Sequence, residues 1–364
     1  MKKIISTKGF FAAVLTLTCF YSCKKDHQTV QQFNFAQTNL VADTAGYGAA
    51  QIDHSLLNAW GMAVNPTGAV WIASNHKAVS TVYDKTGKTL LPPVTIPSVT
   101  AGQPGAPSGV IYNGTADFGG NTFIFAGEDG VITAWKSGTA AVKVADRSTS
   151  NAVYKGLAIA ADAGANFIYA ANFKGGKIDV FNSTFNFITS KPFLDASIPA
   201  GFGPFNIQNI GGLLYVTYAK LKGPDDMDDQ AGAGNGYVNV FKPDGTLVKR
   251  FASQGTLNSP WGITHAPAGL ACTTESILVG NFGDGRINIF DLQGNFKGQL
   301  SNNGQVVTID GLWAIDFLNT NANSVSSTDP LFFTAGPVDE AHGVFGFLQK
   351  GTATSMPTGN NNGY

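Results

Sequence analysis

Charged residues are scarce in this chain of 364 residues: Asp, Glu, Lys and Arg together make up 13%, about half the usual share. The formal net charge is only −1, which argues against a broad nucleic-acid-binding surface. Cysteine occurs three times. The sequence also lacks a G-x-S-x-G elbow, an H-E-x-x-H helix, a C-x-x-C pair and a P-loop. No common catalytic motif therefore assigns a reaction.

Glycine and aromatic residues are abundant instead. The chain holds 44 Gly and 26 Phe, and 43% of it is hydrophobic. The Gly residues follow no G-X-Y period, which excludes collagen, and the apolar content excludes a fully disordered chain. Many glycines, many aromatics and few charges favour all-β structure with tight turns.

The N-terminus has the pattern of an export signal. Lys2, Lys3 and Lys8 precede an apolar stretch over residues 10–21, which is shorter than the roughly 20 residues of a membrane span. This pattern predicts a secretory signal peptide over residues 1–22, with a first buried helix as the alternative. Ser22-Cys23 resembles a bacterial lipobox, which implies cleavage before Cys23 and lipidation of that cysteine.

This pattern predicts how the mature protein is attached to the membrane. We expect residues 23–32 to form a polar tether, and the exported protein to be an outer-membrane or cell-surface lipoprotein that is attached through Cys23. Loss of Lys2, Lys3 and Lys8 takes the net charge from −1 to −4. Because Cys19 leaves with the signal, Cys272 is the one free cysteine, and packing alone must stabilise the fold.

One sequence unit recurs six times. Each copy has a first short apolar run, a second run that ends in a small or polar residue, and a third run that often ends in an aromatic residue. Equivalent positions of the first run fall at Trp60, Ser108, Lys155, Phe205, Trp261 and Trp313. A period near 50 residues with three or four strands predicts a six-bladed β-propeller, in preference to a β-sandwich.

The same pattern gives the domain limits. We expect a single propeller domain over residues 33–351 and a polar flexible tail over residues 352–364. The run at residues 33–41 has strand character and precedes the first repeat. It is expected to supply the outer strand of the sixth blade, since closure of this kind removes open sheet edges.

The repeat over Leu278–Phe290 resembles the NHL repeat, a blade of six-bladed propellers that include lactonases. Longer strings, such as residues 206–212 and 278–288, resemble a family of uncharacterised secreted bacterial proteins. Some of those relatives carry a PEP-type C-terminal sorting tail, which this chain lacks. The resemblance implies a six-bladed propeller and supplies no reaction.

Two columns of aligned residues are expected to line the propeller axis. In the first, Trp60, Trp261 and Trp313 either form an aromatic floor for a ligand or pack as a plug. His265 follows an inner strand and is either a residue that faces the channel or a hydrogen-bonded structural histidine.

The second column follows the second strand of each unit. Calcium-dependent lactonases and phosphotriesterases of the six-bladed class hold one metal on Glu, Asn and Asp oxygens. Here the candidate calcium ligands are Asn75, Glu128, Asn172, Asn281 and Asp310. The alternative is that these Asn residues serve tight turns. The acidic run Asp225–Asp229 is expected to be a solvated loop, because its spacing does not match an EF-hand.

Two functions remain open from the sequence. The first is an envelope binding module, a monomer that takes a small molecule or an envelope protein at the axial funnel. The second is a calcium-dependent lactonase or esterase-like hydrolase that acts at the axis. Redox chemistry with a quinone is weaker, since no cofactor motif occurs. The sequence alone does not decide whether the protein is an enzyme.

Overall fold

The computed structural model describes Met1, residues 33–319 and residues 324–351. The predicted signal peptide beyond Met1, the tether with Cys23 and the tail lie outside the described residues, and these boundaries stay predictions. The described strands form six antiparallel blades, which confirms the all-β six-bladed propeller.

Two strands precede the first blade: β1 (Phe35–Ala42) and β2 (Gln51–Ile52). The first blade contains β3 (Ala59–Val64), β4 (Val70–Ser74), β5 (Val79–Tyr83) and β6 (Thr89–Thr95). The second blade contains β7 (Pro107–Tyr112), β8 (Phe123–Gly127), β9 (Val131–Trp135) and β10 (Val142–Asp146). The third blade contains β11 (Tyr154–Asp162), β12 (Ala165–Asn172), β13 (Lys177–Phe181) and β14 (Phe187–Ile188).

The fourth blade contains β15 (Phe202–Ile210), β16 (Leu213–Lys222), β17 (Asp228–Asp229), β18 (Gly236–Phe241) and β19 (Leu247–Ser253). The fifth blade contains β20 (Pro260–Ala266), β21 (Ser276–Asn281), β22 (Ile287–Asp291) and β23 (Phe296–Gln299). The sixth blade contains β26 (Leu312–Asp316), β27 (Leu331–Ala335) and β28 (Val344–Lys350). A small hairpin, β24 (Ser301–Asn302) and β25 (Gln305–Val306), lies between the last two blades. Short 3-10 helices occupy Asn75–Lys77, Phe118–Gly120 and Ser148–Ser150, and no described helix is long and apolar enough to cross a membrane.

Apolar layers between neighbouring blades form the core. Trp71 of the first blade stacks on Phe123 of the second, with ring centroids 4.3 Å apart. Inner strands such as β3 are buried along their whole length, because each blade is covered on both faces by its neighbours. The outer strand β6 is mostly exposed and carries Pro92 and Pro93, which suit an unpaired sheet edge.

The ring closes as the sequence predicts. Strand β1 pairs antiparallel with β28 from Phe35 opposite Lys350 to Ala42 opposite Val344. The carboxylate of Asp43 fastens this junction, since its Oδ1 accepts the backbone N–H of Gly343 and its Oδ2 lies 2.9 Å from Nδ1 of His342. The sixth blade is therefore built from both ends of the propeller.

Glycines in the inner strands allow the blades to meet at the axis. A Cβ atom on Gly61 would lie 2.6 Å from the carbonyl oxygen of Ser108 in the next blade, and one on Gly109 would lie 2.7 Å from the amide nitrogen of Leu157. Gly262 faces the carbonyl of Trp313 in the same way. Part of the Gly excess thus serves close strand approach and not turns.

Candidate functional site

A β-bulge in every inner strand creates the axial column. The pairing register shifts near the start of β3, β7, β11, β15, β20 and β26, in each case at or beside the aligned position predicted to line the axis. Bulges bend a strand and re-aim its side chains. The six equivalent residues therefore converge at one end of the axis, called here the Trp end; the opposite end is called the far end.

The three predicted tryptophans lie together at the Trp end. The rings of Trp60 and Trp313 stack with centroids 3.9 Å apart, and Trp261 meets Trp313 edge-on at 5.9 Å. Phe282 stacks on Trp313 at 3.8 Å. All three indoles are at most 4% exposed, so they form a packed layer, the Trp plug, and no ring presents an open face to a ligand.

Hydrogen bonds hold two of these indoles in place. Nε1 of Trp313 donates to the side-chain oxygen of Asn58 at 2.9 Å, and Nε1 of Trp261 donates to the carbonyl of Lys155 at 3.0 Å. The third indole differs, because Nε1 of Trp60 is buried without a hydrogen-bond partner among the described residues.

A group of charged side chains surrounds Lys155 at the Trp end. Its ammonium pairs with Glu128 and lies 3.4 Å from Asp228. Asn75 donates to Glu128 at 2.8 Å, and the charge of Glu340 also acts on Lys155. We call Asn75, Glu128, Lys155, Asp228 and Glu340 the Lys155 cluster.

The Lys155 cluster leads from the core to solvent. The side chain of Lys155 is 3% exposed, whereas those of Glu128, Glu340 and Asp228 are 20%, 29% and 71% exposed. The Lys155 ammonium also lies 5.1 Å from the ring centroid of Trp60. The cluster therefore stands on the Trp plug and opens outward.

The electrostatics of the cluster are unusual. Burial lowers the pKa of Lys155, but Glu128, Asp228 and Glu340 outweigh burial, so its pKa lies above the ordinary value and the ammonium stays charged. Burial, and then the charge of Glu128, raises the pKa of Glu340 to about 7. Nδ2 of Asn58 donates to Glu340, and His76 lies 3.9 Å from its Oε2. Glu340 thus titrates near neutral pH.

The structure brings together only part of the predicted calcium ligands. Glu128 and Asn75 meet, but the lysine ammonium already occupies the place of a cation beside Glu128. The Asn172 side-chain oxygen accepts the backbone N–H groups of Val153 and Gly175. Its amide group donates to Asp179, so Asn172 supports its own blade.

The other two predicted ligands are positioned by local hydrogen bonds, although the side-chain oxygen of Asn281 is buried without a hydrogen-bond partner among the described residues. The amide group of Asn281 donates to the carbonyl of Thr256 and to Asp284. Asp310 is exposed and accepts the backbone N–H of Val338. Within residues 33–319 and 324–351, no three His, Cys, Asp or Glu residues are placed to hold a metal ion. Of the five predicted ligands, the hydrogen bonds of the described residues join only Asn75 and Glu128.

His265 lies apart from these residues. It sits near the end of β20, with Nε2 3.7 Å from Oε2 of Glu275. Its side chain is 26% exposed. Cys272 is half-buried beside the apolar layer between the fifth and sixth blades, and burial raises the pKa of its thiol.

Sequence reasoning missed the partners that complete the Lys155 cluster. Asp228 comes from the acidic run predicted to be a solvated loop, and the next residue, Asp229, has a pKa raised by burial. Glu340 lies in the loop between β27 and β28. The available signal was position: Lys155 occupies the same place in its repeat as the three tryptophans, which is unusual for a charged residue.

Comparisons with known proteins add a family but no activity. No family model matches the chain. The "Uncharacterized protein R648" of Acanthamoeba polyphaga mimivirus is 35% identical over 320 residues, covering 83% of this chain and 77% of the viral protein. The "Uncharacterized protein L690" of the same virus is 34% identical over 323 residues, covering 83% and 82%.

Solved structures show the same fold at low identity. An auxiliary nutrient binding protein from Bacteroides ovatus superposes with a TM-score of 0.56 at 10% identity, covering 88% of this chain and 78% of that chain. A protein of unknown function from Bacteroides thetaiotaomicron gives 0.54 at 14%, covering 87% and 77%. A streptogramin B lyase gives 0.51 at 13%, covering 88% and 98%.

Proposed function

The chain belongs to the family of the uncharacterised mimivirus proteins R648 and L690, and we propose that its propeller is a binding module for a ligand with a cationic amine or guanidinium group. The ligand lies over the Lys155 cluster at the Trp end. One observation carries the proposal: Glu128 and Asp228 lie within ion-pair distance of one buried ammonium on which Glu340 also acts by its charge, and all three carboxyl groups are more exposed than that ammonium.

The charge balance explains the preference. Lys155 neutralises only one of these carboxyl groups, so the cluster carries a net charge of −1 when Glu340 is protonated and −2 when Glu340 is ionised. A cationic ligand compensates that charge in partly desolvated surroundings, where the interaction is stronger than in water. Glu128 and Glu340 remain accessible enough to receive its hydrogen bonds, at 20% and 29% exposure.

The pKa of Glu340 sets the expected pH dependence. Because this carboxyl group ionises near pH 7, the affinity for agmatine, used as the probe, should rise about threefold to tenfold from pH 6 to pH 8. Glu340→Gln should weaken binding at pH 8 and remove this rise. Isothermal titration calorimetry at each pH measures both effects.

A matched control separates the cluster from general surface charge. Glu275→Gln makes the same change of charge beside His265, which lies at the far end, and should leave agmatine binding unchanged. Added salt should weaken binding, because a partly exposed ion pair is screened. Equal affinity at pH 6 and pH 8 in the wild-type protein would count against the proposal.

Acid–base catalysis is the second candidate function. A carboxyl group with a pKa near 7, close to the charge of Glu128 and 3.9 Å from His76, suits proton transfer at neutral pH. This candidate replaces the calcium-dependent hydrolase of the sequence analysis, whose predicted oxygens do not converge. It predicts turnover that falls on Glu340→Gln, whereas the binding module predicts weaker binding without turnover.

We also propose that Cys23 carries the lipid that the lipobox pattern predicts. Labelled palmitate should be incorporated into the wild-type protein and into Cys19→Ala, because only Cys23 follows the cleavage site. Cys23→Ala should incorporate none and keep its unprocessed mass. Label retained by Cys23→Ala would show that the lipobox reading is wrong.

A further inference from the structure

The far end of the axis holds a cavity that is separate from the Lys155 cluster. Its volume is about 480 Å³, within the range of sites for small organic molecules. The walls come from the inner strands of blades one to four and six, and from Gly114 and Asn319 in the loops that follow two of these strands. Representative lining residues are Val64, Ile111, Tyr112, Ile159, Gln208 and Asp316.

Apolar side chains form one side of the cavity, although polar and apolar atoms contribute about equally to its surface. Val64, Val110 and Ile111 are each less than 10% exposed and form that side. Toward the axis the cavity reaches Gln208 and Asp316, which also border an enclosed chamber of about 30 Å³ beneath Trp261. That chamber has room for about one water molecule. The far-end cavity therefore ends on an amide and a carboxylate.

Asp316 has no cationic partner among the described residues. It accepts the backbone N–H of Phe317 at 2.7 Å and a second backbone hydrogen bond from Leu318, and the Thr264 hydroxyl lies 3.5 Å away. No ion pair with a described Lys, Arg or His is formed, and Lys85 acts on Asp316 only as a distant charge. Burial raises the pKa of Asp316 to about 6, so the carboxyl group is largely ionised at neutral pH although its surroundings disfavour the charge.

An ionised carboxylate at the base of a cavity with one apolar side selects the chemistry of its occupant. Burying a charge without a partner is unfavourable, and a cation of opposite charge removes most of that cost. We propose that the far-end cavity is a second ligand site, which binds a hydrophobic primary amine with its ammonium on Asp316 and its apolar body against Val64, Ile111 and Ile159. Gln208 offers the ammonium a second acceptor through its side-chain oxygen.

This site differs from the Lys155 cluster in what it selects. The Lys155 cluster offers several carboxyl groups near solvent, which suits a polar cation. The far-end cavity offers one carboxylate and an apolar side, which requires a hydrophobic body as well as a charge. The Trp plug closes the axis at the other end of the enclosed chamber, so the two sites are reached from opposite ends of the propeller.

Dansylcadaverine is a suitable probe, since it joins a primary amine to a naphthalene ring whose emission rises in apolar surroundings. We expect saturable binding to the full chain at pH 7.5. Asp316→Asn should weaken this binding at least tenfold, because the amide cannot pair with the ammonium. Dansylamide, which has the ring but no amine, should bind more weakly and should not respond to Asp316→Asn.

Two control variants test whether the loss of dansylcadaverine affinity is specific to Asp316. Asp310→Asn removes an exposed carboxylate beside Val338, and Glu340→Gln alters the Lys155 cluster; neither should change the affinity for dansylcadaverine. Agmatine should not compete with the probe at concentrations that saturate the Trp end. The two proposals can therefore fail independently.

The pH dependence of the wild-type protein gives a second test that needs no variant. Dansylcadaverine affinity should fall as the pH is lowered from 7 to 5, because Asp316, the one acid among the described lining residues, becomes protonated. Asp316→Asn should abolish this fall, and its melting temperature should equal or exceed that of the wild-type protein. Tight binding of the probe by folded Asp316→Asn, or no saturable binding by the wild-type protein, would overturn the proposal.

Discussion

Replacing Lys155 by Met should lower the free energy of unfolding by about 3–5 kcal/mol, the range found when one partner of a buried ion pair is removed. Met keeps most of the length of the lysine stem, so the change removes mainly the ammonium. Glu128, Asp228 and Glu340 then repel one another without compensation at the top of the Trp plug. Urea denaturation at pH 7.5 measures the loss.

A double variant tests whether charge is the cause. Lys155→Met with Glu128→Gln removes the closest uncompensated carboxylate, and should recover a large part of the stability lost in the single variant. Lys143→Met breaks an exposed pair with Asp146 and should cost less than about 1 kcal/mol. If Lys155→Met costs no more than Lys143→Met, the ammonium does not stabilise the cluster.

Replacing Trp313 by Ala should also destabilise the protein by about 3–5 kcal/mol, as is typical for loss of a buried aromatic residue. Trp313 has the largest number of ring partners in the Trp plug, with Trp60 on one face and Phe282 on the other. The substitution also leaves the side-chain oxygen of Asn58 without its indole donor. Thermal and urea unfolding should both report the loss.

The lost volume can be refilled from solution. Free indole should bind in the cavity that Trp313→Ala creates and raise its melting temperature, since a ligand that binds only the folded state stabilises it. Indole should not affect the wild-type protein in this way. Phe296→Ala, at a half-exposed ring of the outer strand β23, should cost less than about 1 kcal/mol. A Trp313→Ala protein as stable as this control would mean that the plug is not a packed element.

The architecture follows from regularities that the sequence displays directly. The six aligned positions from Trp60 to Trp313 gave both the number of blades and the end of the axis to inspect. The closing strand was predictable as well, because the run at residues 33–41 has strand character but no repeat of its own. These features depend on local pattern and period, which a single sequence carries.

The chemistry of the site was less accessible because it depends on the direction of side chains. Nothing in the sequence distinguishes Asn75, which reaches Glu128, from Asn172, which turns back to Asp179. Asp228 meets Lys155 from 73 positions away, from the short strand β17 that pairs with the end of β16. The bulges that aim these residues also have no sequence signature beyond the adjacent glycines, such as Gly61 and Gly156.

The junction between β1 and β28 determines how the ring responds to force. Its strands run antiparallel, and Phe35 lies opposite Lys350, so the chain enters and leaves the ring side by side; the N–H of Gly351 even bonds to the carbonyl of Asn34. A force that pulls the two ends apart would therefore act on the hydrogen bonds between β1 and β28 one after another. It would not load all of these hydrogen bonds together in shear. The contact between Asp43 and His342 lies at the other end of the pairing between β1 and β28, so separation of these strands would reach it last. We therefore expect tension on the two ends to separate β1 from β28 before the other strands of the propeller.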